Sequence, residues 1–461
     1  MESSEAFQIM IEGNGVENVS EDETSPSESE SVICVKEDWQ DHVPGSWTQL
    51  SIYQFPHYLK DGNDNAWVPQ IVSLGPYHHG KEHLHHMEQH KLRCLHRILR
   101  RGKPKRDLYL DSVWEVEERA RACYEGTIFM SRCEFVEMMV LDGCFVIELF
   151  RGFIEGFEKL GYHPNDPVFS IRESILKIQQ DMIMLENQIP LFILDLLLGL
   201  QHGDPNQKGR VAKLAIYFFD SLHPNASTFD KWKFDRLSDH GSVHCLEVFW
   251  RSLLHSGLTR SKTKHRPRSW KLFIHSLTEL RDAGIKIRLR YTDDWGHIKF
   301  ENRILWIPQL VIRDGTGSLF LNLIAFEQSH FDCSNYVTSY VVFMHNLIKS
   351  PEDVRYLRSK RIILHCLGSD AEVADLFNRL CQDLAFDNQD SHLYDLSREV
   401  ELHCNQYSQI NSRWNQWRAI LKNQYFDNPW SIISLVAAFV LLVLTFIQSL
   451  YAVYGYYKMG S

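Results

Sequence analysis

A helical repeat runs through residues 134–153, which read Glu-Phe-Val-Glu-Met-Met-Val-Leu-Asp-Gly-Cys-Phe-Val-Ile-Glu-Leu-Phe-Arg-Gly-Phe. Apolar side chains recur there at the three- and four-residue spacing of one helix face: Phe135, Met138, Met139, Phe145, Val146 and Leu149. A second repeat covers residues 171–189, and another predicted helix follows Pro190 over residues 191–200. Helices with one apolar face bury that face against other elements. The sequence therefore predicts a domain of packed helices.

Between residues 285 and 312 the helical spacing gives way to short stretches in which apolar and polar residues alternate, the pattern of half-buried strands. They cover residues 285–291, 297–300, 304–307 and 310–312, with turn-forming residues between them. Their closeness along the chain predicts a small antiparallel β meander. The predicted fold class is α+β, predominantly α-helical, with this meander inside a domain over residues 46–390.

The C-terminal region holds the longest apolar run, Trp430–Tyr454, with no charge between Asp427 and Lys458. A bilayer core of ~30 Å needs about 20 apolar residues in a helix. Trp430 at one end and Tyr454 at the other suit the two membrane interfaces, where aromatic rings settle. We therefore predict one C-terminal transmembrane helix as an anchor over residues 427–457, with the lipid bilayer as a partner and residues 458–461 as a short tail.

The formal net charge of −10 is concentrated near the N-terminus. Residues 1–45 contain twelve acidic residues and one lysine, Lys36, so the rest of the chain is near neutrality. Low hydrophobicity with so much like charge cannot offset the entropy of ordering, which predicts a disordered acidic tail over residues 1–45. A chain without a basic excess does not fit a nucleic-acid binder, since such proteins neutralise phosphates with Lys and Arg.

The predicted location follows from cysteines and flanking charges. Ten cysteines are spread singly, without a CxxC pair, which is typical of reduced core thiols. The N-terminus lacks the apolar run of a signal peptide. Arg413, Arg418 and Lys422 precede the C-terminal run against Lys458 after it, and cytoplasmic flanks carry such an excess. We expect a single-pass protein of the plasma membrane with the bulk of the chain in the cytosol.

A long helix is predicted over residues 391–426, between the domain and the anchor. Its stripe steps by three and four residues across four heptads: Leu393, Leu396, Val400, His403, Tyr407, Ile410, Trp414, Trp417 and Leu421. Such a stripe lets a helix pack along another element. Two interpretations stay open: the helix packs back onto its own domain, or residues 393–421 act as a stalk that pairs with a second chain in a homo- or hetero-oligomer.

Four histidines fall on one line of a predicted helix over residues 82–101 and its lead-in: His79, His83, His86 and His90. Two histidines four residues apart on a helix can coordinate one metal ion. The HExxH pattern is absent, however, and no cysteine completes a zinc spacing. These histidines are weak metal candidates, and a partly exposed polar flank or a packing role is the favoured interpretation.

Three carboxylates fall on apolar helix faces: Asp142, Glu186 and Glu327. Buried carboxylates with a raised pKa can do acid–base chemistry. More often a buried acid accepts hydrogen bonds from backbone donors or pairs with a polar neighbour. The favoured hypothesis is a buried polar network, and no catalytic residue is assigned.

A set of ordered motifs resembles a plant family, domain of unknown function 247. The motifs are Pro69–Gly80 (Pro-Gln-Ile-Val-Ser-Leu-Gly-Pro-Tyr-His-His-Gly), Leu141–Phe145, Leu185–Pro190, Ser276–Ile285, Asn322–Gln328 and Leu367–Asp370. The resemblance covers roughly residues 45–457. It implies a plant membrane protein without established catalysis. Some members are implicated in pollen–stigma self-incompatibility in grasses, which would make the variable domain a recognition surface.

The functional hypothesis is a membrane-anchored, non-enzymatic recognition or signalling protein that acts through an unknown protein partner and uses no cofactor. No GxSxG elbow, GxxxxGK[ST] phosphate loop or GxGxxG turn is present in the sequence. The alternative is a hydrolase-like or metal-dependent enzyme built from dispersed carboxylates and histidines. An enzyme would bring at least two of these side chains together in one pocket, whereas a recognition module would leave a charged or apolar surface patch exposed.

Overall fold

A computed structural model describes most of the chain after residue 49. The described residues are 50–60, 66–102, 105–203, 209–225, 243–254, 275–292, 294–330, 333–382, 384, 391–420 and 429–459. The chain divides into two units, Met1–Gly45 and Ser46–Ser461. The first unit, where a disordered acidic tail is predicted, lies outside the described residues.

Helices contain most of the described residues of the second unit. In chain order they are α1 (His85–Arg101), α2 (Arg106–Glu115), α3 (Glu117–Arg121), α4 (Arg132–Glu155), α5 (Arg172–Met182), α6 (Leu191–His202), α7 (Arg210–Phe219), α8 (Cys245–Leu253), α9 (Leu277–Asp282), α10 (Thr316–Ser329), α11 (Tyr336–Leu347), α12 (Pro351–Ser359), α13 (Asp370–Leu380), α14 (Tyr394–Ile420) and α15 (Pro429–Met459). Short 3₁₀ turns cover His57–Leu59, Glu82–Leu84 and Asp220–Leu222.

The central helix is α4, which confirms the prediction for residues 134–153. Its start is fixed by a capping box, in which the Ser131 side chain accepts from the Glu134 N–H and Glu134 binds back to the Ser131 N–H. The predicted apolar side chains are all buried, and helices α1, α2, α6 and α7 pack around them. The helical core predicted from the repeat is therefore present.

The helix predicted over residues 171–189 is shorter than its repeat. Helix α5 ends at Met182, and the chain runs without regular structure to Pro190. The Gln188 side chain causes part of this, because its amide donates to the carbonyl oxygens of Met182 and Met184 at 2.8 and 2.7 Å. These bonds replace the helical pattern with a compact turn, and the apolar repeat alone could not reveal them.

The predicted antiparallel meander is wrong in its pairing. Strands form at β1 (Lys286–Arg290), β2 (Lys299–Glu301), β3 (Ile304–Pro308) and β4 (Leu310–Ile312), but the first sheet has the order β1-β3-β2. Strands β2 and β3 are antiparallel, whereas β1 lies parallel to β3. A two-residue turn with positive φ at Asn302 and Arg303 joins β2 to β3, the geometry that a tight hairpin requires.

The fourth strand belongs to another sheet. Strand β4 pairs in parallel with β5 (Ile363–His365), with Leu310 opposite Ile363. Their partners lie about fifty residues apart in sequence, so adjacency along the chain could not predict them. The meander fails because pairing depends on how the intervening helices pack.

The first half of the predicted stalk packs onto its own domain. In α14, Val400 is buried, the rings of His403 and Phe300 lie 5.9 Å apart, and Tyr407 packs against the core beside Gly284. The later stripe positions lie outside the described side chains: Ile410, Trp414, Trp417 and Leu421. Pairing of this helix with a second chain therefore stays a prediction for its second half.

The predicted transmembrane helix is wrong, although a helix, α15, forms at that position. In the part of the chain that the structure describes, no helix combines the length and apolarity needed to cross a membrane. The predicted anchor ends, Trp430 and Tyr454, lie outside the described side chains.

Candidate functional site

The loop of residues 66–80 is held in place by side chains from other elements. Buried Asp181 accepts the N–H groups of Gln70, Ile71 and Val72 at 2.9, 2.7 and 3.0 Å. Backbone donors that lack a helix or sheet partner need such an acceptor when they are buried. Burial raises the pKa of Asp181 to about 6, against the opposing effect of these hydrogen bonds.

Asn187 continues the same attachment. Its Oδ1 accepts the Leu74 N–H at 2.6 Å, and its Nδ2 donates to the carbonyl oxygens of Val72 and Asp181, both at 2.9 Å. One fully buried amide therefore connects two backbone segments and satisfies three backbone groups. The motif residues Leu185–Pro190 thus bind the motif loop of residues 69–80 directly.

Asp142 joins the loop to a buried lysine. Its Oδ2 accepts the Gly75 N–H at 2.9 Å, and its Oδ1 lies 2.6 Å from Nζ of Lys91, a side chain with no exposed surface. The same ammonium donates to Glu88 at 2.6 Å and to Ser73 Oγ at 3.2 Å. Burial disfavours the charge, but the two carboxylates raise the pKa of Lys91, so this amine is protonated.

Gly75 must be a glycine for two reasons. Its φ of +73° lies in the left-handed region, and a Cβ added there would lie 2.5 Å from the carbonyl oxygen of Gln188. The Tyr124 hydroxyl, which donates to that oxygen at 2.9 Å, closes the same space. The motif glycine therefore permits the close contact between the loop and residues 185–190.

Glu186 binds the segment before the loop. It accepts the Phe55 N–H at 2.8 Å and Nζ of Lys60 at 3.0 Å, and its second oxygen lies 3.4 Å from Nε2 of His78. Burial opposes ionisation, but these three contacts outweigh it and lower the pKa of Glu186 to about 2. Nδ1 of His78 accepts a hydrogen bond from Nζ of Lys81 at 2.8 Å. A nitrogen that accepts carries no proton, so the ring proton is on Nε2 and faces Glu186. Nδ1 of this buried histidine is therefore engaged by Lys81, and Nε2 faces the Glu186 carboxylate.

Glu327 lies in a separate environment. Its carboxylate accepts four hydrogen bonds. Three come from Nε1 of Trp250 and from the N–H groups of Val337 and Thr338, each at 2.8 Å. The fourth comes from the Thr338 hydroxyl at 2.6 Å. Burial raises the pKa of Glu327 to about 7, against the opposing effect of these hydrogen bonds. The carboxylate caps the start of α11 and anchors it to α8.

The three predicted acids are therefore not brought into one pocket. Asp142 contacts Lys91 and Gly75, Glu186 contacts a different set, and Glu327 contacts residues of α8 and α11. Each carboxylate has its own donors. The arrangement fixes loops and helix ends, and it does not bring any two of these three carboxylates into contact.

The predicted histidine row is spread along the surface. His79, His83 and His86 are exposed and His90 is half-buried. One ring nitrogen of His83 lies 3.1 Å from the Pro69 carbonyl oxygen, so this side chain contacts the loop. Among the described residues, no three His, Cys, Asp or Glu side chains are grouped closely enough to hold a metal ion.

An open groove of about 820 Å³ follows strand β1. It is lined by residues 284–289, by Arg281 of α9, by Trp306 of β3, and by Tyr356 and Lys360 at the end of α12. Strand β1 is the outer strand of its sheet and pairs with β3 on one side. Its other side therefore offers backbone donors and acceptors that the described sheet does not use.

The groove is cationic. Arg281, Lys286, Arg288 and Lys360 are exposed, and no acidic residue belongs to the lining. Within the described part of the chain, none of these four cations forms an ion pair with a carboxylate.

Aromatic rings support three of these four cations. The Arg281 guanidinium lies 4.6 Å and Nζ of Lys360 lies 5.4 Å from the Tyr356 ring centre. The Arg288 guanidinium lies 5.9 Å from the Trp306 ring. Stacking on a ring face orders a cation without neutralising it, so the positive charge stays available to a ligand.

A second basic recess, of about 480 Å³, lies between α1 and residues 159–161. Two of its arginines already bind acids: Arg93 contacts Asp166 at 2.9 Å, and Arg101 contacts Glu148 at 2.5 Å. Its positive charge is therefore partly neutralised within the protein, which distinguishes it from the groove beside β1.

Sequence reasoning missed the lysine and the aspartate that hold the loop. Lys91 lies four residues after Met87, on the apolar face of α1. A charged residue on an apolar helix face was the feature of the sequence that could have indicated a buried ion pair. Asp181 carried no comparable signal, because its partners are backbone groups 109 to 111 residues away. The groove had one clue, the alternation Lys-Ile-Arg-Leu-Arg over residues 286–290, which places cations on one face of a strand.

The fold and these sites define a mostly helical protein in which family-motif side chains fasten one loop, with an open cationic groove beside a sheet edge. The chain belongs to the DUF247 family, described as plant protein of unknown function, whose profile matches residues 52–444. This confirms the resemblance found in the motifs.

Relatives in Arabidopsis thaliana extend the same conclusion. The chain is similar to the UPF0481 protein At3g47200, with 31% identity over 88% of this chain and 86% of the relative. It is also similar to a second UPF0481 protein, At3g02645, with 23% identity over 87% of this chain and 89% of that relative. No solved structure matches.

Proposed function

We propose that this protein is a recognition module that binds other proteins through its surface, and that its motif residues serve its architecture. The observation that carries this proposal is the contrast between two sets of charges. The buried acids Asp142, Glu186 and Glu327 each bind their own donors inside the protein. The exposed cations of the groove beside β1 lack carboxylate partners among the described residues.

This contrast is the one expected for a binding protein. Catalysis by acids and bases needs at least two reactive side chains within hydrogen-bond reach of a substrate. Glu186 is the one predicted acid whose contacts include a histidine, His78. Nδ1 of that histidine contacts Nζ of Lys81, so this nitrogen is not free to act as a base. Unpaired surface charge, in contrast, steers partners and selects among them. The described contacts therefore favour binding over chemistry.

The biological setting belongs to the same proposal. Recognition between pollen and stigma, in which some family members are implicated, would use a surface of this kind. The expected location at the plasma membrane, with the bulk of the chain in the cytosol, stays a prediction. Fractionation of plant cells that express the full chain tests it.

Affinity capture from native plant extract tests the proposed function. The full chain, tagged at its N-terminus, is used as bait, with an excess of untagged protein added as competitor in a parallel sample. A recognition module retains at least one protein in near-stoichiometric amount that the competitor displaces. Recovery of no competable partner, together with turnover of a small-molecule substrate that Asp142→Asn or Glu327→Gln abolishes while the chain stays folded, would refute the proposal.

A further inference from the structure

The edge of the first sheet, with the groove beside it, has the features of a peptide-docking site. We infer that the groove along β1 binds an extended acidic segment of a partner protein, which adds as a further strand beside Lys286–Arg290. This inference rests on the proposed function, because it names the kind of partner that the recognition surface takes. Its support comes from backbone, charge and shape together.

The backbone supplies the docking edge. Strand β1 has five residues and pairs with β3 on one side in the described sheet. Six consecutive residues, 284–289, line the groove, so the strand follows it along its length. Strand addition to such an edge gives affinity through main-chain hydrogen bonds, and the alternate side chains give specificity.

The side chains select the sign of the partner's charge. Lys286 and Arg288 are separated by one residue, so both project to the same exposed face of β1. A strand laid beside β1 would place its own alternate side chains opposite them, at a distance where opposite charges attract. Arg281 and Lys360, which also line the groove, add positive charge. Carboxylates at every second position of the partner fit this pattern.

The same charges disfavour a second copy of this chain. Pairing of β1 with another β1 would bring lysine and arginine side chains close to each other, and like charges in facing positions destabilise a sheet. Cations on an edge strand are a common protection against such self-association. An acidic partner removes that repulsion, so the edge that rejects its own copy accepts a complementary segment.

A direct titration tests the inference. The probe is a fluorescein-labelled ten-residue peptide in which Glu alternates with Val, titrated with the full chain and followed by fluorescence anisotropy at low salt. We expect saturable binding that weakens with added salt, because the contacts are charged and exposed. Lys286→Glu and Arg288→Glu should each weaken binding by about tenfold or more, since each replaces an attraction with a repulsion.

Matched controls separate this site from general charge effects. Lys299→Glu reverses a half-exposed cation on β2 of the same sheet, outside the groove, and should leave the dissociation constant within about twofold. A peptide with Gln in place of Glu tests the charge. A peptide with Pro in place of Val keeps the charge but lacks half of the N–H donors, and it should bind at least about tenfold more weakly.

The outcomes decide between this inference and others. Equal affinity of the Arg288→Glu and Lys299→Glu variants would refute the docking site. Equal binding of the Val and Pro peptides, with displacement by inorganic tripolyphosphate, would show a simple anion site instead of strand addition. If a competable partner is captured from extract but both groove variants retain it, the protein is still a recognition module and the inferred surface is wrong.

Discussion

Replacing Lys91 by methionine tests whether the buried ion pair holds the motif loop. The Lys91 side chain has no exposed surface and contacts Asp142 and Glu88, both at 2.6 Å, and Ser73 at 3.2 Å. Methionine has a similar length and no charge. Lys91→Met therefore leaves Asp142, which is about 1% exposed, as a buried carboxylate with one remaining donor, the Gly75 N–H.

The expected cost follows from the burial of the two partners. Removing one member of a buried ion pair destabilises a protein by about 3–5 kcal/mol, because the other charge stays without compensation. Glu88 is 23% exposed and can take up water, so Glu88→Gln should cost at most about 1 kcal/mol. The double variant Lys91→Met/Asp142→Asn removes both charges, and it should be more stable than Lys91→Met alone by at least about 1 kcal/mol.

Equilibrium urea unfolding, followed by tryptophan fluorescence and by circular dichroism, measures these differences. Lys159→Met is the matched control, because this lysine is exposed, and it should change the unfolding free energy by no more than about 0.5 kcal/mol. Hydrogen exchange gives a local readout, since the Gly75 amide that Asp142 accepts should exchange faster in Lys91→Met.

Two results would contradict this reasoning. One is a loss below about 1 kcal/mol for Lys91→Met, which would mean that Asp142 is satisfied without the ammonium. The other is simple additivity of Lys91→Met and Asp142→Asn, since residues that act as a pair must show a coupling energy.

Three further predictions concern the same scaffold. Gly75→Ala should lower the unfolding free energy, measured in urea, by at least about 2 kcal/mol more than Gly80→Ala does. Both glycines have positive φ, but only at Gly75 would the new Cβ meet a backbone oxygen, that of Gln188 at 2.5 Å. Equal losses would contradict the close packing. Asn187→Leu should cost about 3 kcal/mol and speed exchange of the neighbouring loop amides, since it leaves the buried Leu74 N–H and the Val72 carbonyl oxygen without a partner, whereas the Asp181 carbonyl oxygen keeps the Met184 N–H. Unchanged exchange would contradict the attachment. Glu327 has a folded-state pKa of about 7 against an ordinary 4.5, so binding of its proton stabilises the folded state. This contribution, about 3 kcal/mol, is fully present below pH 4.5 and is lost as the pH rises through 7. The difference in unfolding free energy between the wild type and Glu327→Gln should therefore shrink over that pH range, and a difference that grows would show the opposite shift.

The helices could be read from the sequence because their signal is local. The apolar face of α1 combines Met87, Cys94, Leu95 and Ile98, and all of these are buried. A repeat of three and four residues needs no knowledge of the partner surface. The same local signal predicted α4 within two residues at each end.

The candidate sites could be read only in part. Asp142 and Glu327 could be recognised in the sequence as charged residues on apolar helix faces. Their hydrogen-bond partners could not be predicted, because they are distant in sequence: Gly75 is 67 residues from Asp142, and Trp250 is 77 residues from Glu327. The groove was harder still. Its cations come from α9, β1 and the end of α12, which no sequence pattern connects.

The sequence by itself determined the family, the helical class and the positions of four of the five described strands. Only the tertiary structure decided that β1 pairs in parallel with β3, that α5 stops at Met182, and that α14 begins by covering the sheet. The physical reason is that periodicity records which face of a segment is apolar, whereas strand pairing, buried ion pairs and grooves depend on groups that meet only after the chain has packed.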